Sequence, residues 1–210
     1  GILLKNGAIT FRSEGRELEI LKTDDIRLPG VHNIENYMAA IAATIEFVKP
    51  EDIRYVASSF GGVEHRNEFV RKIKGVSFYN DSIGSSPTRT IASINSFKGR
   101  VILIAGGYDK HIPYGVMGKT LVDKVKCLVL VGQTAGLIEA AFRDEIKKTG
   151  RGSDIPVIHC SSLEEAVSKA YEKAEINDVV LLSPASASFD MFRNFEERGL
   201  AFKRIVNGLS

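Results

Sequence analysis

The apolar residues of this chain follow two rhythms. Up to about Leu28 they form short runs interrupted by Asn6-Gly7 and closed by Leu28-Pro29-Gly30. Asn-Gly between two short apolar runs favours a tight hairpin, because both positions accept positive φ. This stretch therefore predicts short antiparallel strands. Tyr37, Ala40, Ile41, Thr44 and Ile45 then fall on one face of a helix from about Asn33 to Phe47. Lys49-Pro50 ends it, and Pro50 suits the first turn of a second helix running through Ser59. Gly61-Gly62 breaks the pattern and predicts a domain boundary, with residues 1–60 before it and 61–210 after it.

From Arg66 onward strand-like and helix-like segments alternate. Apolar runs lie at Phe69 to Ile73, Val76 to Asn80, Val101 to Ala105, Cys127 to Val131, Val157 to Cys160 and Val179 to Ser183. Helical patterns lie at Pro87 to Phe97, Tyr114 to Val125, Ala135 to Lys148, Leu163 to Ala174 and Phe189 to Val206. The fourth helix carries a capping-box signature, Ser162-x-x-Glu165, ahead of an apolar stripe of Leu163, Ala166, Val167, Ala170, Tyr171 and Ala174. Such alternation predicts an α/β fold, a Rossmann-like, doubly wound, mainly parallel sheet covered by helices on both faces.

Composition narrows the class without changing that picture. With 210 residues, 44% of them apolar, the chain can bury a real core. A net charge of +2 from scattered Lys and Arg gives no nucleic-acid stripe, and Lys147-Lys148 reads as a solvated helix end. No run approaches a membrane span and no charged-then-apolar leader is present, so the expected location is cytoplasmic. Cys127 and Cys160 sit in or beside apolar runs without metal-ligand spacing, as reduced thiols would. The chain opens on Gly rather than Met and directly into strand-like sequence, from which a piece of a longer protein is expected.

In a doubly wound sheet the carboxyl ends of the strands share one edge, where ligands bind. Four such ends carry suitable chemistry. One leads through Asn80-Asp81-Ser82-Ile83-Gly84-Ser85-Ser86-Pro87 into a helix N-terminus, where free N–H groups receive anions. A second is Gly106-Gly107-Tyr108-Asp109-Lys110, in which the glycines let backbone approach a ligand and Lys110 adds charge. The third is Gly132-Gln133-Thr134, and the last is the small-residue turn Ser183-Pro-Ala-Ser-Ala-Ser188. Together they suit a small anion, an amino acid or a phosphate ester. Arg66, beside the domain boundary, suits bidentate clamping of phosphate. His32 and His65 sit in glycine-marked turns, His111 in a loop, and His159 reads as a core or strand-end residue. Gly115-Val116-Met117-Gly118-Lys119-Thr120 imitates the end of a phosphate-binding P-loop, but Pro113 stands where that motif requires Gly, and an ordinary helix start is expected.

Leu28-Pro29-Gly30-x-His32-Asn33, Glu64-His65-Arg66, Asn80-Asp81-Ser82, Gly106-Gly107-Tyr108-Asp109-Lys110 and Ser183-Pro-Ala-Ser-Ala-Ser188-Phe-Asp-x-Phe192-x-Asn194-Phe195-x-x-Arg198-Gly199 together resemble the Mur ligases of peptidoglycan synthesis. The resemblance runs in order through nearly the whole chain. It implies the end of a central ATPase domain over residues 1–60 and a complete, Rossmann-like amino-acid-binding domain over 61–210. The absence of Asp-Asn-Pro-Arg points to the D-glutamate-adding branch.

By that resemblance the intact enzyme uses ATP and Mg2+ to activate UDP-N-acetylmuramoyl-L-alanine as an acyl phosphate, which the amine of D-glutamate attacks. Asn33 and Asn36 would contact the adenine region and Asp81 the ribose, with His65 and Arg66 near the phosphates. Lys110 and Ser188 would hold the D-glutamate carboxylates, with Phe195 packing beside them and Ser85 close by. Magnesium ligands and the P-loop are expected upstream, so no metal ligand is assigned here, the fragment itself is expected to be inactive, and the intact enzyme is expected to be a monomer. Ile83 stands where the family often has Lys, leaving that lysine's role unfilled. Another Mur ligase, a folylpolyglutamate synthetase and a non-catalytic Rossmann-like binding module are the alternatives.

Overall fold

A computed structural model of the protein describes residues 1–28 and 30–210; Pro29 and the side chain of His32, both in the turn expected there, lie outside the described residues. The chain divides into two compact units, Gly1–Gly62 and Val63–Ser210.

The first unit contains an antiparallel sheet of β1 (Ile2–Lys5), β2 (Ala8–Ser13) and β3 (Arg16–Lys22). Asn6-Gly7 and Glu14-Gly15 make its turns, all four residues at φ between 50° and 76°. That is the backbone twist that two-residue hairpins need. Helices α1 (Val31–Thr44) and α2 (Pro50–Ser59) follow. Ile9, Ile20, Leu21, Ile41, Ile53 and Ala57 form the unit's buried core. Pro50 occupies the first helical position of α2, and Asp52 accepts the Lys49 amide at 3.3 Å, satisfying one free N–H.

The second unit is a six-stranded sheet in the order β4 (Glu68–Ile73), β5 (Val76–Asn80), β9 (Val179–Leu182), β6 (Val101–Ala105), β7 (Val125–Val131) and β8 (Val157–Cys160). All neighbours are parallel except β4 and β5. Those two are joined by Lys74-Gly75 at φ 46° and 89°, and a two-residue turn can only reverse the chain. Helices α3 (Pro87–Asn95), α4 (Gly118–Lys124), α5 (Ala135–Thr149), α6 (Leu163–Glu172) and α7 (Phe195–Gly208) complete the unit.

Strand alternation divides the core in two. Val101, Leu103, Leu128, Leu130 and Leu181 face α3, α4 and α5 through Ile94, Leu121, Ile138 and Phe142. Ile102, Ile104, Val129, Val180 and Leu182 face α6 and α7 through Leu163, Val167, Ala170 and Phe202. Burying a Leu or Phe side chain of this kind contributes about 1.5–3 kcal/mol, so the two layers hold the strand ends rigidly.

Several local expectations need correction. The last helix begins at Phe195 rather than Phe189, because Asn194 caps it, accepting the Glu197 amide at 2.8 Å. Residues 188–192 turn instead, with the Met191 and Phe192 amides returning to the Ser188 carbonyl. Ser162 does accept the Glu165 amide, but Glu165 reaches back to the Ser161 amide and hydroxyl, so the box closes one residue early. His159 is exposed on edge strand β8 and pairs with Glu139 at 2.6 Å. The P-loop look-alike is a 3-10 turn running into α4, as expected; Gly118 lies tight against the Ala141 carbonyl of α5, where a Cβ would not fit.

Candidate active site

Inserting β9 between β5 and β6 places the loops that follow β5, β9, β6 and β7 side by side at the carboxyl edge. The loop after β5 is stitched in place by its own polar side chains. Asn80 accepts the Ser82 amide and donates to Glu68 at 3.0 Å, and its Nδ2 lies 2.9 Å from His65 Nδ1. Ser82 donates its hydroxyl to the Phe195 carbonyl at 2.8 Å. Asp81 is only 4% exposed. It accepts the Ser183 hydroxyl at 2.6 Å and the Asn67 amide at 3.3 Å. Burial pushes its carboxyl up to about 6, and the Ser183 bond and the positive charge of Arg66 hold it below where burial alone would put it. Ser85 is half-buried just before α3.

His65 and Asn67 take left-handed backbone conformations on either side of Arg66, unusual for residues with side chains. His65 is buried, its ring edge-on to Phe195 with centroids 6.0 Å apart, and Gly199 of α7 leaves no room for a Cβ against Nδ1. Its imidazole thus holds the end of β5 against α7. Arg66 is exposed, and no side-chain partner holds its guanidinium among the described residues. Glu64, His65 and Glu68 bring three potential metal-ligand atoms within 4.8 Å of one another. Lys203, however, bonds Glu64 at 2.9 Å and Glu68 at 2.6 Å. One ammonium already bridges the two carboxylates, so the cluster is an ion-pair network in which Lys203 occupies the position a cation would take.

The loop after β6 is built differently. Gly106 and Gly107 have φ 114° and 147°, and added Cβ atoms would strike the carbonyl oxygens of Val131 and Ala187. These glycines therefore serve backbone-to-backbone packing rather than approach to a ligand. The Tyr108 amide donates to Ala187 at 2.9 Å, and the two residues form an antiparallel bridge. This bridge ties the Lys110 loop to the Ser188 loop. The Tyr108 and Phe189 rings meet edge to face, centroids 5.9 Å apart. Lys110 is exposed and makes no ion pair among the described residues; Ser188 is 3% exposed, with no hydrogen-bond partner for its hydroxyl among them. Phe195 packs edge-on against His65.

Arg198 had no role in the sequence reading. It stands in the last family motif and lies on the buried stripe of α7 with Ala201 and Phe202. Its guanidinium donates to the Ser82 hydroxyl (3.0 Å) and to the carbonyls of Ser82 (2.9 Å), Ser186 (3.1 Å) and Ala187 (3.0 Å). It clamps the loop after β5 to the loop after β9. Burial lowers its pKa to about 10, partly offset by Asp190 and Asp81, so it stays charged at neutral pH. The hydroxyls of the Ser183–Ala187 turn are likewise used internally: Ser183 also meets the Thr90 hydroxyl at 2.9 Å, and Ser186 meets Tyr114 at 2.8 Å and Thr134 at 2.7 Å. Asn33 and Asn36 both lie on α1 in the first unit, Asn33 half-buried and Asn36 exposed. A cleft of about 610 Å3 lined by Lys74, Val76, Tyr171, Ala174, Glu175 and Ile176 lies at the opposite, amino end of β5 and holds none of the expected residues.

The carboxyl edge of this Rossmann-like sheet thus carries a buried aspartate and an exposed lysine. The chain belongs to the Mur ligase family: the family pattern described as "Mur ligase, glutamate ligase domain" matches residues 65–186. It is 62% identical over 209 residues to the UDP-N-acetylmuramoylalanine--D-glutamate ligase of Acetivibrio thermocellus and 56% identical to that of Ruminiclostridium cellulolyticum. In both cases the whole chain is matched but only 45% of the relative, so the chain spans less than half their length. Among solved structures, the pseudomurein peptide ligase type C of Methanothermus fervidus shares the fold, with a TM-score of 0.63 at 18% identity, over 99% of this chain and 41% of that one. The bifunctional folylpolyglutamate synthase/dihydrofolate synthase of Yersinia pestis does so with a TM-score of 0.62 at 16% identity, over 98% and 45%.

Proposed function

We propose that this chain is the carboxy-terminal part of a cytoplasmic, monomeric, ATP-dependent ligase that joins D-glutamate to UDP-N-acetylmuramoyl-L-alanine in peptidoglycan synthesis. Its second unit receives the amino acid, and its first unit is the end of the ATPase domain. The names borne by relatives 62% and 56% identical support the substrates. The observation that carries the site is the bridge between Tyr108 and Ala187, which brings an unpaired cation, Lys110, and a buried hydroxyl, Ser188, onto two joined loops.

ATP supplies a phosphoryl group that converts the acceptor carboxylate into an acyl phosphate; the amine of D-glutamate displaces phosphate and loses a proton, leaving an amide. The donor set of this chain suits part of that task. Arg66 offers its exposed guanidinium to phosphate oxygens from a backbone set by the left-handed residues His65 and Asn67 on either side. Asp81 offers the remaining lone pairs of a carboxylate to ribose hydroxyls, although both of its oxygens already hold partners. Asn33 and Asn36 offer amides to adenine, and Ser85 adds a hydroxyl beside the amino acid. Lys110 and Ser188 take the two carboxylates of D-glutamate, binding and orienting the nucleophile, with Phe195 fixing the start of α7 behind them. Residues for Mg2+ are placed upstream of this chain.

Steady-state kinetics on the intact ligase tests this reading. Lys110→Ala should raise the KM for D-glutamate about 10- to 100-fold, as expected for loss of a charge-assisted bond, with the KM for ATP little changed. An unaltered KM for D-glutamate would remove Lys110 from the site. Preference for another amino acid would favour a different Mur ligase or a folylpolyglutamate synthase.

A further inference from the structure

We propose that Asp190 is a positioning residue for the incoming amino acid, holding the Lys110 loop in register with the Ser188 loop. The inference rests on the reading of Lys110 and Ser188 given above. Asp190 follows Ser188 by two residues, inside the turn closed by the Met191 and Phe192 amides on the Ser188 carbonyl. Its Oδ2 accepts the Gln133 amide at 3.3 Å and lies so close over Gly132 that any Cβ there would strike it. Gly132 in turn packs against the backbone of Gly107, and the Thr134 amide donates to the Gly107 carbonyl at 3.0 Å. Gln133 passes the connection on: its Oε1 accepts the Asp109 amide at 3.4 Å, and Asp109 accepts the His111 amide at 2.7 Å. Lys110 stands between those two amides. A continuous path therefore runs from the Ser188 turn through Asp190, Gln133 and Asp109 to the backbone that carries Lys110.

The other oxygen of Asp190 argues that this arrangement does not exist to stabilise the fold. Oδ1 is buried with no hydrogen-bond partner among the described residues, as is Tyr37 Oη. A buried carboxylate oxygen without a donor costs stability; the Gln133 amide meets only the other oxygen, and Arg198 acts on the charge electrostatically, without a hydrogen bond. Unmet polar groups of this kind concentrate at functional sites. The benefit is a fixed distance between the two groups that must grip opposite ends of one dicarboxylate.

The test is steady-state kinetics on the intact ligase, with Lys110→Ala measured in parallel. Asp190→Ala should raise the KM for D-glutamate roughly tenfold, with the KM for ATP and the melting temperature little changed. Asp190→Asn, which retains an oxygen for the Gln133 amide, should stay within about twofold of wild type. Gln133→Ala should raise the same KM about threefold and add nothing to Asp190→Ala, because both cut one path. If Asp190→Ala does not fold, Gln133→Ala decides: a selective rise supports the proposal, and no rise overturns it. The proposal also fails if Asp190→Ala leaves the D-glutamate KM unchanged while Lys110→Ala raises it, or if all parameters deteriorate together. If Lys110→Ala has no effect either, the reading of the whole site fails instead.

Discussion

The loops after β5 and β6 leave the same edge of one sheet and solve opposite problems. After β5, the side chains of Asn80, Asp81 and Ser82 are buried and bonded to neighbouring loops. After β6, glycines make the tight backbone contacts, and Lys110 is left exposed, with no ion pair among the described residues. A polar residue at a strand end is thus not a ligand by position alone. Where side chains hold the backbone, their chemistry is largely consumed; where bare backbone does so, a neighbouring side chain is free.

Substitutions should expose this contrast. The largest effect is expected from Gly106→Ala, which forces a Cβ into the Val131 carbonyl at a φ that side chains avoid. Urea denaturation should show a loss of roughly 4 kcal/mol or more, or no folded second unit. Arg198→Met removes the clamp and strands the carbonyls of Ser82 and Ser186, for a loss of about 3 kcal/mol. The Ala187 carbonyl keeps the Tyr108 amide, so the Lys110 loop should stay attached. If Arg198→Met proved neutral, the loop after β5 would be held by something other than its polar network.

Asp81→Asn should act in the opposite direction. The Asp81 carboxyl titrates at about 6 in the fold and about 4 in an unfolded chain. Between those values the native state binds the extra proton, so stability falls as pH rises and levels off above pH 6. The asparagine variant should gain on the order of 2–3 kcal/mol at pH 7 and lose that slope. Because Glu17, Glu64, Glu139 and Glu165 are held below the usual carboxylate range and slope the other way, the comparison is between the two proteins: a stability difference between wild type and variant that stays flat from pH 4 to 6 would contradict the cost assigned to Asp81. Smallest in stability is Lys110→Ala, expected within about 0.5 kcal/mol of wild type because the side chain is exposed and makes no ion pair among the described residues; its effect belongs to D-glutamate binding.

What could be read in the sequence follows the same division. The buried strands were legible because their apolar runs are continuous, and the turn at Asn6-Gly7 because few residues accept its backbone. Lys74-Gly75 makes an equivalent turn, but Lys gives no such signal, so the reversal of β4 was not seen. Phe189 and Phe192 mimic a helical stripe and hid the true start of α7 at Asn194. The family motifs marked Asp81, Lys110, Ser188 and Arg198 alike, yet only the packing separates the arginine clamp and the nearly sealed aspartate from the free lysine. Nothing local in the sequence marks Asp190 as the end of a path to Lys110, because its partner Gln133 comes from another strand end.

Backbone amide chemical shifts, followed during titration of this chain with D-glutamate, test the central claim most directly. The account expects changes concentrated in residues 106–111 and 186–190 together, absent with L-glutamate and lost in Lys110→Ala. Changes confined to the loop after β5, or equal responses to both enantiomers, would contradict it.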